Sequence, residues 1–333
     1  MMTCRKIELH ALTGDFRTAT RIVTMPLESP GPGQVLVRNR YAGVNAVFDK
    51  NLCRNAIRYI DVVPPFDMGI ETVGEVVEIG RGVDGFAVGD PVATFKLGTG
   101  YREYQLAEPS RLIPVSSASP EILTLIPTGV SALVALDKIA GMRSGETIAI
   151  SAAAGGLGHI LVQLAKLAGN HVIGLTSSPR KAQLLEELGC DRIVDYRRES
   201  VRDVLSAEYP RGLNIAYDTV GGEIFEAFVD HLAMKGRLIV SGHTSDFDQP
   251  ADPVPSVPVY RRLYWKSASI RAFQMPAFPE YFDEGARRIL ELYAQGRIRP
   301  RPDPTPFRGL ESVADAVEHL LSGRNVGKVV VEL

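Results

Sequence analysis

The part of this 333-residue chain with the most specific chemical potential is the run SAAAGGLG, residues 151–158. Ala152, Gly155 and Gly158 stand at AxxGxxG spacing, directly after the apolar run ETIAISAA and before the helical pattern GHILVQLAKLAG. A strand ending in such a loop lets the backbone turn tightly and approach a pyrophosphate. The helix that follows aims its free N–H groups at the anion, and the last small residue lets helix and strand pack closely. Ala154, Gly155, Gly156, Leu157 and Gly158 are therefore the expected dinucleotide cradle.

The next strand, HVIGLTS, narrows the choice of dinucleotide. A site for NAD usually ends this strand with an acid, about 20 residues beyond the glycine loop, to hold the ribose 2′-hydroxyl. Here the chain reads GLTSSPRKA, with no acid. The hydroxyls of Thr176, Ser177 and Ser178 and the cations Arg180 and Lys181 suit the 2′-phosphate of NADPH. Ser178 also reads as a helix N-cap, with Pro179 in the first turn and Gly189 past the end.

These residues need a scaffold, and the chain supplies two textures. From about residue 120, apolar strands alternate with amphipathic helices, the pattern of a parallel βαβ sheet. ETIAISAA, HVIGLTS, RIVDY, LNIAYDTV, GRLIVSG and SASIRAF give six strands, with further helices expected at 200–209 and 222–233. Before residue 120, short β-branched runs such as GQVLVRNRYAGV and TVGEVVEIGRGV alternate with Gly and Pro, which reads as a β-rich domain. The expected division is a β-rich domain of residues 1–121 and 276–333 and a nucleotide-binding domain of residues 122–275. QPADPVPSVP and RPRPDPTP read as loops, the second separating helices near 279–295 and 309–322.

Composition excludes several function classes. The 37 basic and 39 acidic residues nearly cancel without long like-charged blocks, so neither a nucleic-acid nor an anionic-membrane surface is expected. Three scattered cysteines, Cys4, Cys53 and Cys190, form neither a disulfide framework nor a zinc ribbon and point to a reducing, cytoplasmic setting. The N-terminus lacks the apolar run of a signal peptide, and no run approaches the roughly 18 consecutive apolar residues of a membrane span. The expected partner is a small molecule.

The markers AGVNA (42–46), GIETVGEVVEIG (69–80), VGDPV (88–92), SAAAGGLG, YDTVGG (217–222), KGRLIVSG (235–242) and VGKVVVEL (326–333) recur in order. In them the chain resembles the medium-chain dehydrogenase/reductase superfamily over nearly its whole length. Within it the chain looks like the zinc-independent quinone oxidoreductase and zeta-crystallin branch, closest to the prostaglandin reductase 3 type through GCDRIVDY, KSASI and GLESV. The resemblance implies an α/β protein, with a GroES-like β-rich catalytic domain and a doubly wound Rossmann domain. Zinc-using relatives place Cys where Asn45 stands and His where Ile70 stands, and they carry a four-cysteine lobe after VGDPV that is missing here. No metal is therefore expected, and Glu71 reads as a structural buried acid.

Residue by residue, the resemblance places Ser131 at the nicotinamide ribose and Tyr196 at the 2′-phosphate. Ser241, Gly242, Phe273 and Asn325 match positions that line the nicotinamide half. The implied activity is hydride transfer from NADPH to a quinone or to the C=C bond of an α,β-unsaturated ketone or aldehyde. Such an acceptor spreads the incoming charge onto its oxygen, so a hydrogen-bond donor can replace a metal. Three donors remain open: Asn45 at the vacated ligand position, Tyr59 in the loop CRNAIRYIDVVPPF, and Tyr260, which aligns with a tyrosine proposed as catalytic in related reductases. The competing reading is an NADPH-binding structural or regulatory protein of the crystallin type. A homodimer paired through the SASIRAF edge is also expected.

Overall fold

The computed structural model describes residues 2–245 and 258–333, so all of QPADPVPSVP but its last proline lies outside the described residues. The chain forms two compact units, residues 1–127 with 300–333, and residues 128–299.

The first unit is built on antiparallel strands, as its alternating β-branched runs require. Its larger sheet has the order Val330–Glu332, Val35–Gly43, Glu71–Ile79, Pro91–Phe95, Leu112–Pro114, with Tyr104–Ala107 also paired to Val35–Gly43. A smaller sheet joins Thr20–Pro26, Thr3–Leu9 and Phe66–Asp67. One pairing matters most for the site. The C-terminal strand runs antiparallel to the end of Val35–Gly43, with Val330 opposite Gly43. That register lays the far end of the chain beside the helix Ala46–Cys53.

In the second unit the six expected strands are present: Thr147–Ile150, His171–Thr176, Arg192–Asp195, Leu213–Asp218, Leu232–Val240 and Ser269–Ala272. Numbered in chain order they lie as 3-2-1-4-5-6, all pairs parallel, which is the doubly wound arrangement. Ile148, Ala149, Ile150, Ile173, Ile215 and Leu238 are fully buried, as strands covered by helices on both faces must be. The helix Phe282–Ala294 packs on the helix Val130–Val134, where Gly285 leaves room for Val130. This unit therefore extends to Arg299, and residues 276–299 belong to it rather than to the β-rich unit as the sequence reading had them. An apolar stretch, Pro120–Ile139, is long enough to cross a bilayer, but 78% of it is buried inside the protein.

Candidate active site

In the second unit the first strand delivers the glycine loop. Ala152 turns it at φ 45°, a left-handed conformation that costs a non-glycine residue strain. A Cβ at Gly158 would stand 2.3 Å from the Ala152 carbonyl oxygen, so this glycine is required. The helix Gly158–Leu167 begins from Leu157, whose side chain makes no capping hydrogen bond. Ala154, Gly155 and Gly156 complete the turn. A loop that excludes a Cβ and ends on a helix N-terminus fits the pyrophosphate of a dinucleotide.

The neighbouring strand ends gather the other expected cofactor contacts. Ser178 caps the helix Pro179–Glu187, its Oγ accepting from the Lys181 N–H at 3.4 Å. The Tyr196 N–H donates to the Thr176 carbonyl at 3.1 Å, which brings Tyr196 to the patch formed by Ser177, Ser178 and Lys181. Thr176 Oγ1 is buried there with no hydrogen-bond partner among the described residues. One acid does stand nearby. Asp195 is the register partner of Thr176, but its carboxylate accepts from the Arg197 N–H at 3.1 Å and faces Arg198 at 3.5 Å. Sequence reading missed it because it arrives across the sheet, from the third strand rather than the second.

On the other side of the first strand, buried Asp218 ties two loops together. It accepts from Ser151 Oγ at 2.7 Å and from the N–H groups of Val220 and Gly221 at 2.9 and 3.0 Å. Ser241 donates its N–H to the Asp218 carbonyl at 2.8 Å, and a Cβ on Gly242 would meet the Thr219 carbonyl oxygen at 2.9 Å. The Phe273 N–H donates to the Val240 carbonyl at 2.8 Å, so Ser241, Gly242 and Phe273 share the C-terminal edge of the sheet. Phe273 is buried and stacks on Phe278 at 5.5 Å, which makes it a packing residue of that edge. Ser131 lies on the helix Val130–Val134, which packs on the glycine-loop helix.

The first unit holds a buried polar cluster. Asn45 is the N-cap of the helix Ala46–Cys53, yet its side chain makes no capping hydrogen bond. Instead Asn45 Oδ1 accepts from Lys328 Nζ at 3.1 Å, while Asn45 Nδ2 is buried with no partner among the described residues. Lys328 Nζ also donates to the Val44 carbonyl at 3.2 Å and pairs with Glu71 Oε1 at 2.5 Å. Gly43 makes room for that carboxylate, since a Cβ there would sit 1.9 Å from Glu71 Oε1. Beneath lies Asp49, whose Oδ2 accepts from the Asn45 N–H at 3.3 Å and from the Tyr101 hydroxyl at 2.7 Å. Burial pushes the Asp49 carboxyl up to about 7, against the opposing pull of those hydrogen bonds. Burial likewise raises the Tyr101 phenol well above its usual value.

Of the three candidate donors, only Asn45 belongs to this cluster. Tyr59 is 61% exposed in its loop and Tyr260 is 67% exposed on the short helix Val259–Tyr264. Asn325 is buried, but its Nδ2 donates to the Gly327 carbonyl at 2.9 Å and serves the turn that leads into Lys328. Asp49, Tyr101 and Lys328 went unnoticed in the sequence. A four-residue step from Asn45 to Asp49 on one helix was the one local signal; nothing local connects Asn45 to a lysine at position 328.

A doubly wound sheet carrying a glycine-loop cradle, in a chain with a second, β-rich unit, defines a dinucleotide-binding protein. Residues 31–117 match the alcohol dehydrogenase GroES-like domain family and residues 156–291 match the zinc-binding dehydrogenase family. Prostaglandin reductase-3 of Mus musculus is 39% identical, over 99% of this chain and 90% of that protein. A probable quinone oxidoreductase of Leishmania amazonensis is 38% identical, over 99% of this chain and 98% of that protein. Among solved structures, a mycobacterial protein complexed with NADPH superposes with a TM-score of 0.85 at 27% identity, over 99% of this chain and 100% of that one. The chain belongs to the medium-chain dehydrogenase/reductase superfamily, in its quinone oxidoreductase branch.

One family description includes zinc, and the residues here do not fit it. Asn45 and Ile70 occupy the ligand positions implied by the resemblance, and Glu71 is committed to Lys328. Zinc needs three or four closely set Cys, His or carboxylate ligands.

The Asp49 environment predicts a pH dependence of stability. Its carboxyl titrates near 7 when folded and near 3.8 when unfolded, so between those values the folded state holds a proton that the unfolded state has released. Stability from this group is present at low pH and lost as pH rises through 7, by up to about 1.4 kcal/mol per pH unit. Urea unfolding of wild type and Asp49→Asn across that window should give curves that diverge as pH rises, with the wild type falling. Parallel curves would mean an ordinary carboxylate.

Proposed function

We propose that this chain is an NADPH-dependent reductase that delivers hydride to a quinone or to the C=C bond of an α,β-unsaturated ketone or aldehyde, without a metal. The observation that carries the reading is Asn45, whose Oδ1 is held by Lys328 and whose buried Nδ2 lacks an acceptor among the described residues. NADPH, when bound, supplies the hydride. The glycine loop and its helix hold the pyrophosphate; Ser177, Ser178, Lys181 and Tyr196 surround the 2′-phosphate; Ser131, Ser241 and Gly242 line the nicotinamide half.

The donor at Asn45 then decides the substrate class. Hydride arriving at the β-carbon of an enone pushes the electron pair through the conjugated system onto the carbonyl oxygen. Asn45 Nδ2 donates to that oxygen as its charge grows, and the enolate takes a proton from solvent water to finish the reduction. A neutral amide stabilises a spread charge but polarises an isolated ketone weakly. Simple carbonyls are therefore poor substrates.

A homodimer is the expected assembly. The sixth parallel strand, Ser269–Ala272, is an edge with exposed Arg271 and Ala272, and Tyr264 and Trp265 beside it are 71% and 80% exposed. Pairing two such edges would extend the sheet and cover the aromatic rings. A cytoplasmic, reducing compartment suits its three unpaired cysteines.

Three measurements test these readings. Asn45→Ala should lower kcat on an enone or quinone by about 10² to 10³-fold, the loss typical of one oxyanion donor. The same loss in Tyr260→Phe or Tyr59→Phe, with Asn45→Ala unaffected, would move the role, and no turnover on any enone or quinone would favour the crystallin-type alternative. Lys181→Ala should weaken NADPH binding by about ten-fold or more, one charge-assisted contact, while leaving NADH nearly unchanged; equal losses for both would remove Lys181 from the 2′-phosphate site. Light scattering at micromolar concentration should give twice the chain mass, and a monomer would end the dimer assignment.

A further inference from the structure

A donor is useful only if the right end of the amide faces the substrate. Asn45 could present either Oδ1 or Nδ2, since the two ends are nearly the same size and shape. The local helix does not choose, because the side chain makes no cap. Lys328 does. An ammonium has three N–H donors and no acceptor. Two of those of Lys328 are met by Asn45 Oδ1 at 3.1 Å and the Val44 carbonyl at 3.2 Å, and the ammonium is ion-paired with Glu71 Oε1 at 2.5 Å. Turning the amide over would set its N–H groups against an ammonium and leave one of those two donors unmet in a site where Lys328 is 5% exposed. Such a mismatch between buried groups is costly.

We propose that Lys328 is a positioning residue for the reduction, acting through Asn45. Its ammonium, anchored by Glu71, locks Oδ1 inward and so holds Nδ2 as a preorganised donor for the oxygen that gains charge. The proposal rests on the reading of Asn45 as that donor. It places no atom of Lys328 or Glu71 on the substrate, and it gives the buried ion pair a task that packing alone would not require. A hydrophobic pair of similar volume often serves stability as well or better.

The test is a four-way comparison in the full chain with NADPH and an enone or quinone. Lys328→Met is combined with Glu71→Gln so that no lone charge is left buried, and the pair is made with Asn45 and with Asn45→Ala. The pair change should lower kcat about ten-fold or more where Asn45 is present, with NADPH affinity measured by fluorescence titration unchanged. In the Asn45→Ala background it should cost nothing further, because two residues that act through one contact are not additive. Equal losses in both backgrounds, or none with Asn45 present, would overturn the positioning role. An Asn45→Ala protein with full turnover would overturn the donor reading itself, and the positioning role with it. Should the methionine pair fail to fold, Lys328→Gln with Glu71→Gln keeps N–H donors in place of the ammonium and carries the same comparison: a smaller loss, again absent in Asn45→Ala, supports the role, and an equal loss in both backgrounds overturns it.

Discussion

A lysine ammonium buried inside a β-rich unit is the constraint around which the polar interior of that unit is arranged. Desolvating such a charge costs several kcal/mol unless it is paired and hydrogen-bonded, and at Lys328 one ion pair and two hydrogen bonds come from groups the fold must deliver. Glu71 comes from the start of a central strand, the Val44 carbonyl and Asn45 from the turn into a helix, and Lys328 from the run into the last strand. Gly43 has to be glycine because the carboxylate fills the space of its Cβ. The antiparallel pairing of Val330 with Gly43 closes the arrangement.

The cofactor half solves a different problem, the approach of backbone to an anion, and it does so by removing side chains. Gly158 and Gly242 stand where a Cβ would collide with carbonyl oxygens, and Ala152 accepts a strained conformation to make the turn. Asp218 stiffens the same edge by holding Ser151 and two loop N–H groups at once. One half thus concentrates charge and hydrogen bonds in a dry interior, while the other leaves backbone donors open at a sheet edge.

Tyr59, Tyr260 and Asn45 are each hydrogen-bond donors by residue type and differ in what surrounds them. A phenol is a good donor in principle, and both lie in segments where a substrate contact was reasonable. Both phenol side chains are largely exposed, Tyr59 at 61% and Tyr260 at 67%. Asn45, the least conspicuous of the three, is the one whose donor is withdrawn from water with nothing yet to meet it.

What the sequence by itself determined is whatever depends on neighbours in the chain. The glycine loop, the Ser178 cap, the six strands and the two textures all arise from periodicity and turn chemistry within about ten to twenty residues, so they could be read in order. The cofactor choice was legible for the same reason, through the missing acid after the second strand. Only the tertiary structure decided what depends on strand register and packing. Register brought Asp195 beside Thr176 across the sheet and Lys328 to Asn45 from the other end of the chain. Helix packing through Gly285 drew residues 276–299 into the second unit. Burial then turned Asp49 from an ordinary helix acid into one that keeps its proton to about 7. None of these has a local signature, because desolvation and pairing are properties of the groups a folded chain encloses rather than of the residues that precede and follow them.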